Sequence, residues 1–370
     1  MLTKAENLLN EVIAAYSLGG KVAGALRYGQ GHINDTFAVY VQKENGDAAR
    51  FILQRISPAA FQNPAHLMKN ICGVTEYLRN RIIEKNGDEN RECMTVIPTR
   101  DGHPYYTDSE GHAWRLYVFV EGTVCMQQVE RPEDFYNVGE AFGKFQQMLS
   151  GYPAETLYHT IEKFHDTRDR YHRFELALEE DKMSRAKEAA AEIEFVCSRQ
   201  TDCEVLMKLL EAGELPLRVT HNDTKLNNVL IDRKTGKGIC IIDLDTVMPG
   251  LVHNDFGDSI RFGANHCAED ETDLSKVNFS LPLFETYTRG FLSAAGGALT
   301  QKEKEYLPWG ARLMTLECGI RFLTDYLQGD VYFRIHHPKH NLDRCRTQLK
   351  LVSDMERCFP EMKAIVEKYS

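Results

Sequence analysis

Hydrophobic and polar positions follow two different periods along this chain, and the change falls near Gly122. The first twenty residues, MLTKAENLLNEVIAAYSLGG, set Leu8, Leu9, Val12, Ile13 and Tyr16 at helical spacing, with Glu6, Asn7, Asn10 and Glu11 between them. Polar residues so placed break the apolar centre of a secretory signal and predict an amphipathic helix that stays in the mature protein. From Val22 to Ile56 the segments ALRYGQG, NDTFAVYVQ and ARFILQRI alternate as strands, and Asn45-Gly46 between the second and third marks a hairpin. A helix is expected over 64–85, with Leu67, Ile71, Val74 and Leu78 on one face, and two more strands over 92–99 and 113–121.

Beyond Arg131 the period is mostly helical. Phe135, Val138, Phe142, Phe145 and Leu149 fall on one side of a helix, and residues 160–213 read as a charged, inserted helical pair. A short β interruption follows, with VLID and ICIID on either side of the turn RKTGKG, before the chain returns to helix, including a long apolar-faced stretch over 303–327. This order predicts an α+β protein of two lobes, a β-rich one over 1–121 and a larger, mainly helical one over 122–370. A length of 370 residues agrees, since it exceeds what one core usually covers.

Composition narrows the partners. With 43% hydrophobic and 26% charged residues the chain reads as soluble, and its net charge of −10 argues against a nucleic-acid or anionic-membrane partner. No apolar run approaches the ~20 residues that cross a bilayer. Ten scattered cysteines without a Cys-x-x-Cys pair read as reduced thiols and point to the cytoplasm. Oligomeric state leaves no trace in the sequence.

The chemistry concentrates in HNDTKLNNVLIDRKTGKGICIIDLDTVMPG, residues 221–250. Asp223 and Asn228 lie on a polar loop that enters an apolar strand, and Asp243 stands where the paired strand runs out. A hairpin of this length brings Asn228 and Asp243 together with Asp223 beside them. Hard oxygen ligands of this kind suit Mg²⁺, which uses one or two side chains plus phosphates and water. There is no GxxxxGK[ST] loop, which removes the main alternative fold for ATP. Gly29-x-Gly31, between two strands, is a turn whose backbone N–H groups can approach phosphate.

This stretch resembles the catalytic and metal loops of the aminoglycoside phosphotransferase and choline kinase superfamily, distant relatives of protein kinases. More narrowly, GHINDTF, FILQRI, HNDTKLNNVLID, IDLDTVMPG, DFGDSIRFGA and ECGIRFLTDYL together resemble N-acetylhexosamine 1-kinases, over residues 31–327. The resemblance implies a bilobal protein-kinase-like fold, with Mg²⁺ and ATP as cofactor and co-substrate and a sugar as acceptor. It makes Asp223 the catalytic base, and Asn228 and Asp243 the metal ligands. His221 then braces the loop, and Asp245 stands either behind the metal ligands or on the metal itself. The literal Asp255-Phe256-Gly257 lies too far beyond Asn228 to be the metal motif, so Asp255 and Asp258 are expected to steady the loop, with Arg261 nearby.

A kinase-like first lobe should also bring a cation from its third strand to the phosphates. FILQRI offers no lysine there. Arg55 is the obvious substitute, with Glu76 as its partner on the following helix, but a one-residue register slip would turn Gln54 inward instead. Phe119 and Val120, just before Gly122, are expected to meet adenine through their backbone groups. On the acceptor side, His32, Asn34 and Asp35 offer hydrogen-bonding side chains or serve only as turn formers, while Arg261, Phe262 and Arg321 fall in segments that resemble hexosamine-kinase substrate walls. The expected reaction is phosphorylation of the anomeric hydroxyl of an N-acetylhexosamine. The alternatives are a kinase of choline, homoserine, methylthioribose or an aminoglycoside, and a silent kinase-fold binding protein, for which the missing lysine speaks.

Overall fold

The computed structural model describes residues 4–29 and 33–370. Helix α1 (Lys4–Ala14) buries Val12 and Ile13, and with them Tyr16, against one face of an antiparallel sheet. The sheet comprises β1 (Gly20–Arg27), β2 (Asp35–Lys43), β3 (Ala48–Arg55) and, after α2 (Pro64–Glu84), β4 (Val96–Ile97), β5 (Tyr106–Thr107) and β6 (Ala113–Val118). Its order is β1-β2-β3-β6-β4, with β5 also paired to β6. The β2–β3 hairpin closes as its sequence demands: Gly46 has φ +86°, and Asn45 Oδ1 accepts the Asp47 N–H at 3.1 Å. Asn63 caps α2 by accepting the His66 N–H, and Pro64 fills the first helical position.

The pleat sorts side chains onto two faces. Val39, Val41, Leu53, Trp114 and Leu116 pack against α1. Ile52, Ala113 and Tyr117 point the other way, into a core shared with Leu67, Met68, Ile71 and Val74 of α2. That core also takes in Val219, Cys240, Leu244 and Val247, so apolar burial runs from the sheet straight into the second half of the chain.

After Val118 the chain crosses to a second sheet. There β7 (Thr123–Val124) pairs with β9 (Val229–Asp232), which pairs with β10 (Gly238–Ile241). Around it lie α3 (Pro132–Met148), then α4 (Thr167–Glu180), α5 (Ala190–Cys197) and α6 (Val205–Glu211). Next come β8 (Arg218–Thr220) and its partner β11 (Met248–Gly250), α7 (Val252–Gly263), α8 (Leu281–Ala295), α9 (Gln301–Glu305), α10 (Leu307–Gln328), α11 (His340–Arg357) and α12 (Phe359–Tyr369).

The architecture is therefore the mixed α+β arrangement expected, with three local differences. The strand expected over 92–99 shrinks to two residues. The inserted helical pair is three helices, the first ended by Asp181 in the left-handed region (φ +33°). The long helix over 303–327 is two, because Thr300 and Glu303 form a capping box for α9 and Pro308 opens α10. All ten cysteines are unpaired, and no helix among the described residues is long and apolar enough to cross a membrane.

Helix α3 matters most for the site, because its last turn carries Gln146 to the loop over 221–228. It lies against α8 through glycine. A Cβ at Gly143 would stand 2.3 Å from the Phe291 carbonyl oxygen, and one at Gly290 2.3 Å from that of Tyr136. Both obstacles are backbone and cannot rotate away. Gly143→Ala is expected to force the helices apart and destabilise the protein by about 1–3 kcal/mol, read as a lowered midpoint in thermal or urea unfolding. An unchanged midpoint would show that the two helices can separate freely.

Candidate active site

Strand β8 feeds residues 221–228, and α7 holds that loop from behind. Asp255 has no exposed surface and accepts three hydrogen bonds: from the His221 N–H at 3.0 Å, the Asn222 N–H at 2.8 Å and the Gln146 side-chain amide at 2.7 Å. Thr224 gives its N–H to Asp258 at 2.9 Å and its hydroxyl to the Asp255 carbonyl at 2.6 Å. Ser259 returns a hydroxyl to the Thr224 carbonyl at 2.8 Å. His221 ties the loop to the next strand, since its Nε2–H donates to the Ile242 carbonyl at 2.9 Å while Nδ1 accepts the Asp223 N–H at 3.3 Å. Held this way, Asn222 keeps φ +64°, a conformation tolerated by asparagine and seldom used without a reason.

The three residues singled out for chemistry converge. Ile242 donates its N–H to the Asn228 carbonyl at 2.9 Å, which sets Asp243, next along the chain, beside Asn228. The Asn228 amide group donates to the Asp223 carbonyl at 2.8 Å and to Asp223 Oδ2 at 3.3 Å. Lys225, missed in the sequence, reaches Asp223 Oδ1 at 2.7 Å. Burial works to raise the Asp223 pKa, but the charge and hydrogen bond of Lys225, with Arg261 behind it, hold the carboxyl below its ordinary value. Asp243 sits at φ +61°. The protein crowded around it, and then the negative charges of Asp245 and Asp223, push its pKa up to about 6, although its carboxylate reaches solvent.

Asp245, on the turn just after Asp243, is the meeting point with the first sheet. Asn34, at the start of β2, donates its amide to Asp245 Oδ2 at 2.7 Å and accepts the Ser57 N–H at 3.0 Å. Arg115 of β6, 1% exposed, brings Nη2 to 2.6 Å from Asp245 Oδ1, an ion-pair contact that is off-line for a hydrogen bond. Gln54 Oε1 accepts from Arg115 Nε at 3.1 Å and Nη2 at 2.8 Å.

A second brace comes from the helical side. His165 places Nδ1 at 2.9 Å from Glu317 Oε1 and Nε2 at 3.0 Å from the Asn222 carbonyl. Both ring nitrogens face acceptors, so the ring carries both protons. Burial alone would lower its pKa, but the Glu317 carboxylate outweighs that and the pKa is raised. One turn beyond Glu317, Arg321 stands among the rings of Phe164, Tyr332 and Phe333, at 5.6, 5.8 and 5.4 Å from their centroids.

The phosphotransferase enzyme family, APH, matches residues 25–279, most of the chain and all of the loop just described. The chain belongs to this family. Solved structures share its fold. A microcompartment-associated aminopropanol kinase is similar at 16% identity, over 97% of this chain and 98% of its own, with a TM-score of 0.61. The amicoumacin kinase hAmiN, in complex with AMP-PNP, Ca²⁺ and Ami, matches at 12% identity over 96% and 94%, with a TM-score of 0.59. Choline kinase from Cryptosporidium parvum Iowa II matches at 14% identity over 93% and 91%, with a TM-score of 0.55. The protein is thus a phosphotransferase, and its fold is the kinase-like one that these small-molecule kinases share.

Against this kinase frame, several expected residues change place. Arg55 lies on the α1 face of the sheet, where it and Arg27 pair with Asp35, while Gln54 turns inward. Strand alternation is the reason: Arg55 shares a face with Leu53, and Gln54 with Ile52. Asp35 is accordingly held between two surface arginines rather than presented to an acceptor. Glu76 is exposed on α2 and is not the partner of Arg55. Phe119 gives its N–H to the Arg50 carbonyl at 3.2 Å, and the Val120 carbonyl takes the Thr123 hydroxyl at 2.8 Å, so these two hinge groups are already engaged. Gly29 has φ +77°, as a turn requires; Gly31 and His32 lie outside the described residues. Arg261 spans Asp258 and Glu269, each at 2.9 Å, and Phe262 packs partly buried against the core beside α3 and α8. Arg115, Lys225, His165 and Glu317 were not found from sequence. An arginine in the apolar run AWRLYVFV was the one available signal.

The charged His165 yields a pH prediction. A folded pKa above the ordinary 6.5 means that its contribution is complete below that value and fades as pH rises through the folded value. Glu317 faces it, with Arg170 and Arg321 close by and opposing the charge. The stability gap between wild type and His165→Gln should therefore be widest near pH 6 and narrow toward pH 9. A gap that does not vary with pH would show the ring to be neutral.

Proposed function

We propose that this kinase transfers the γ-phosphoryl group of Mg·ATP to the anomeric hydroxyl of an N-acetylhexosamine, giving the sugar 1-phosphate. The residues fit a magnesium site. The Asn228 amide N is committed to Asp223, which leaves Oδ1 as its ligand atom beside the Asp243 carboxylate, and all donors are hard oxygens. Bound there, magnesium would neutralise charge on the phosphate oxygens.

The protein's own part is positioning. Asp223, fixed by Asn228 and Lys225, accepts the hydroxyl proton as the acceptor oxygen bonds to the γ-phosphorus. The bond from that phosphorus to the β,γ-bridging oxygen breaks, and ADP leaves with its electron pair. Lys225, half-buried beside Asp223, lies where charge builds on the transferred group. Gly29 lies on the phosphate side, and the sheet-bearing lobe over 1–121 closes on the helical lobe over 122–370 around the nucleotide.

Arg321 carries the choice of acceptor. It has no carboxylate within ion-pair distance among the described residues and stands in an aromatic nest, on the helix that braces Asn222 through Glu317 and His165. A cation with aromatic rings suits a hydroxylated, uncharged ring, with polar donors and an apolar surface together, and repels an amine. Amino-alcohol acceptors, as in the names of the aminopropanol and choline kinases, belong to proteins that share the fold alone.

An acceptor panel with ATP and Mg²⁺ tests this directly. N-acetylglucosamine or N-acetylgalactosamine should release ADP and yield a product whose phosphate sits on C1. Turnover of choline or kanamycin with neither sugar would overturn the acceptor assignment. Asp223→Ala should lose about 10²–10⁴-fold in kcat while still binding nucleotide, whereas Asp243→Ala should also lose the Mg²⁺-dependent part of that binding. Full activity in either variant refutes the role of the residue replaced.

A further inference from the structure

We propose that Arg115, on β6, is the nucleotide-side cation of this kinase, a positioning residue that sets the metal loop through Asp245. The inference rests on the Mg·ATP reading above and adds a residue to it.

Three observations meet at this side chain. Of the inward-facing positions of β3, Arg50 is spent on Glu121 and Gln54 is neutral, so no unpaired cation comes from that strand. Gln54 does not replace the charge but steers it: its Oε1 accepts two N–H groups of Arg115, whose Cα it faces across the β3–β6 ladder. The guanidinium then lies in ion-pair contact with Asp245, two residues along the same turn from Asp243.

A fully buried arginine needs its charge balanced and its donors met. Asp245 answers the charge, but Nη1 has no acceptor among the described residues. An unmet buried donor is costly, and an anion arriving beside Asp243 relieves that cost. The same carboxylate is held from its other oxygen by Asn34, which follows the glycine turn closely in sequence. Asp245 is therefore the knot at which the phosphate-side turn, the cation strand and the metal loop are tied. A rigid, planar guanidinium suits such a knot better than a flexible lysine, because it can serve Gln54 and Asp245 at once in a fixed fork.

The decisive experiment moves the charge. Arg115→Met, Arg115→Gln and the double variant Gln54→Lys/Arg115→Met are compared with wild type for Mg·ATP binding by calorimetry and for kcat and KM with the preferred acceptor. Arg115→Met should lose about 100-fold in kcat and weaken Mg·ATP, with acceptor KM little changed. Gln54→Lys in that background should recover about 10-fold or more, by returning a cation to β3. Loss of packing alone would not be repaired by a second substitution that only restores charge. If Arg115→Met does not fold, the neutral, polar Arg115→Gln decides: a folded protein with weakened Mg·ATP binding supports the role, and wild-type binding and kcat overturn it. Wild-type behaviour of Arg115→Met, or a double variant no better than the single, also overturns it. Failure of the wild-type protein to bind Mg·ATP at all would sink both this inference and the reading beneath it, and so differs from failure of the inference alone.

Discussion

One carboxylate, Asp255, organises this molecule. It takes the N–H groups of His221 and Asn222 and the amide of Gln146, and so nails the loop that carries Asp223 onto a helix that cannot move without opening the core. Burying an anion this completely is tolerable only because three donors converge on it. Everything chemical is arranged around the loop so fixed: Asp223 points away from α7 toward Lys225 and Asn228, and Asn222 accepts an uncommon backbone conformation whose carbonyl is held by His165. The spelling Asp-Phe-Gly at this site is coincidental with the protein-kinase metal motif. Its aspartate is a structural anion, and the metal-facing carboxylate, on the function proposed, is Asp243.

The charges sort into two layers. Ion pairs behind the site, such as Arg261 with Asp258 and Glu269, or Glu317 with His165, hold elements in register. Other groups keep spare capacity: the Asp243 carboxylate is exposed, Arg115 Nη1 is buried without an acceptor among the described residues, and Arg321 has only aromatic rings beside it. A site for a highly charged substrate should look like this before the substrate arrives, rigid behind and unsatisfied in front.

Much of this was legible in the sequence, for definite reasons. Asp223, Asn228 and Asp243 lie within one hairpin, so their spacing alone brings them together. The α1 and α2 faces follow from simple periodicity, and the Asn-Gly turn from backbone chemistry. What stayed hidden was set by contacts between distant segments. Strand register decides whether Arg55 or Gln54 turns inward, and a period of two cannot fix that phase when both neighbours are polar. Arg115 sits in a run that reads as core, and its partner Asp245 is 130 residues away. His165 and Glu317 are 152 residues apart and carry no local motif. The same blindness made the absent β3 lysine look like support for a silent protein, when a buried cation stands on the neighbouring strand.

The central claim is that Asn228 and Asp243 hold the metal of a bound nucleotide beside Asp223. A crystal structure with Mg²⁺ and a non-hydrolysable ATP analogue measures it directly. One magnesium is expected at about 2.0–2.1 Å from an Asp243 carboxylate oxygen and from Asn228 Oδ1, with phosphate oxygens completing its shell and the γ-phosphate facing Asp223. Nucleotide bound elsewhere, or a metal that ignores both residues, would contradict it.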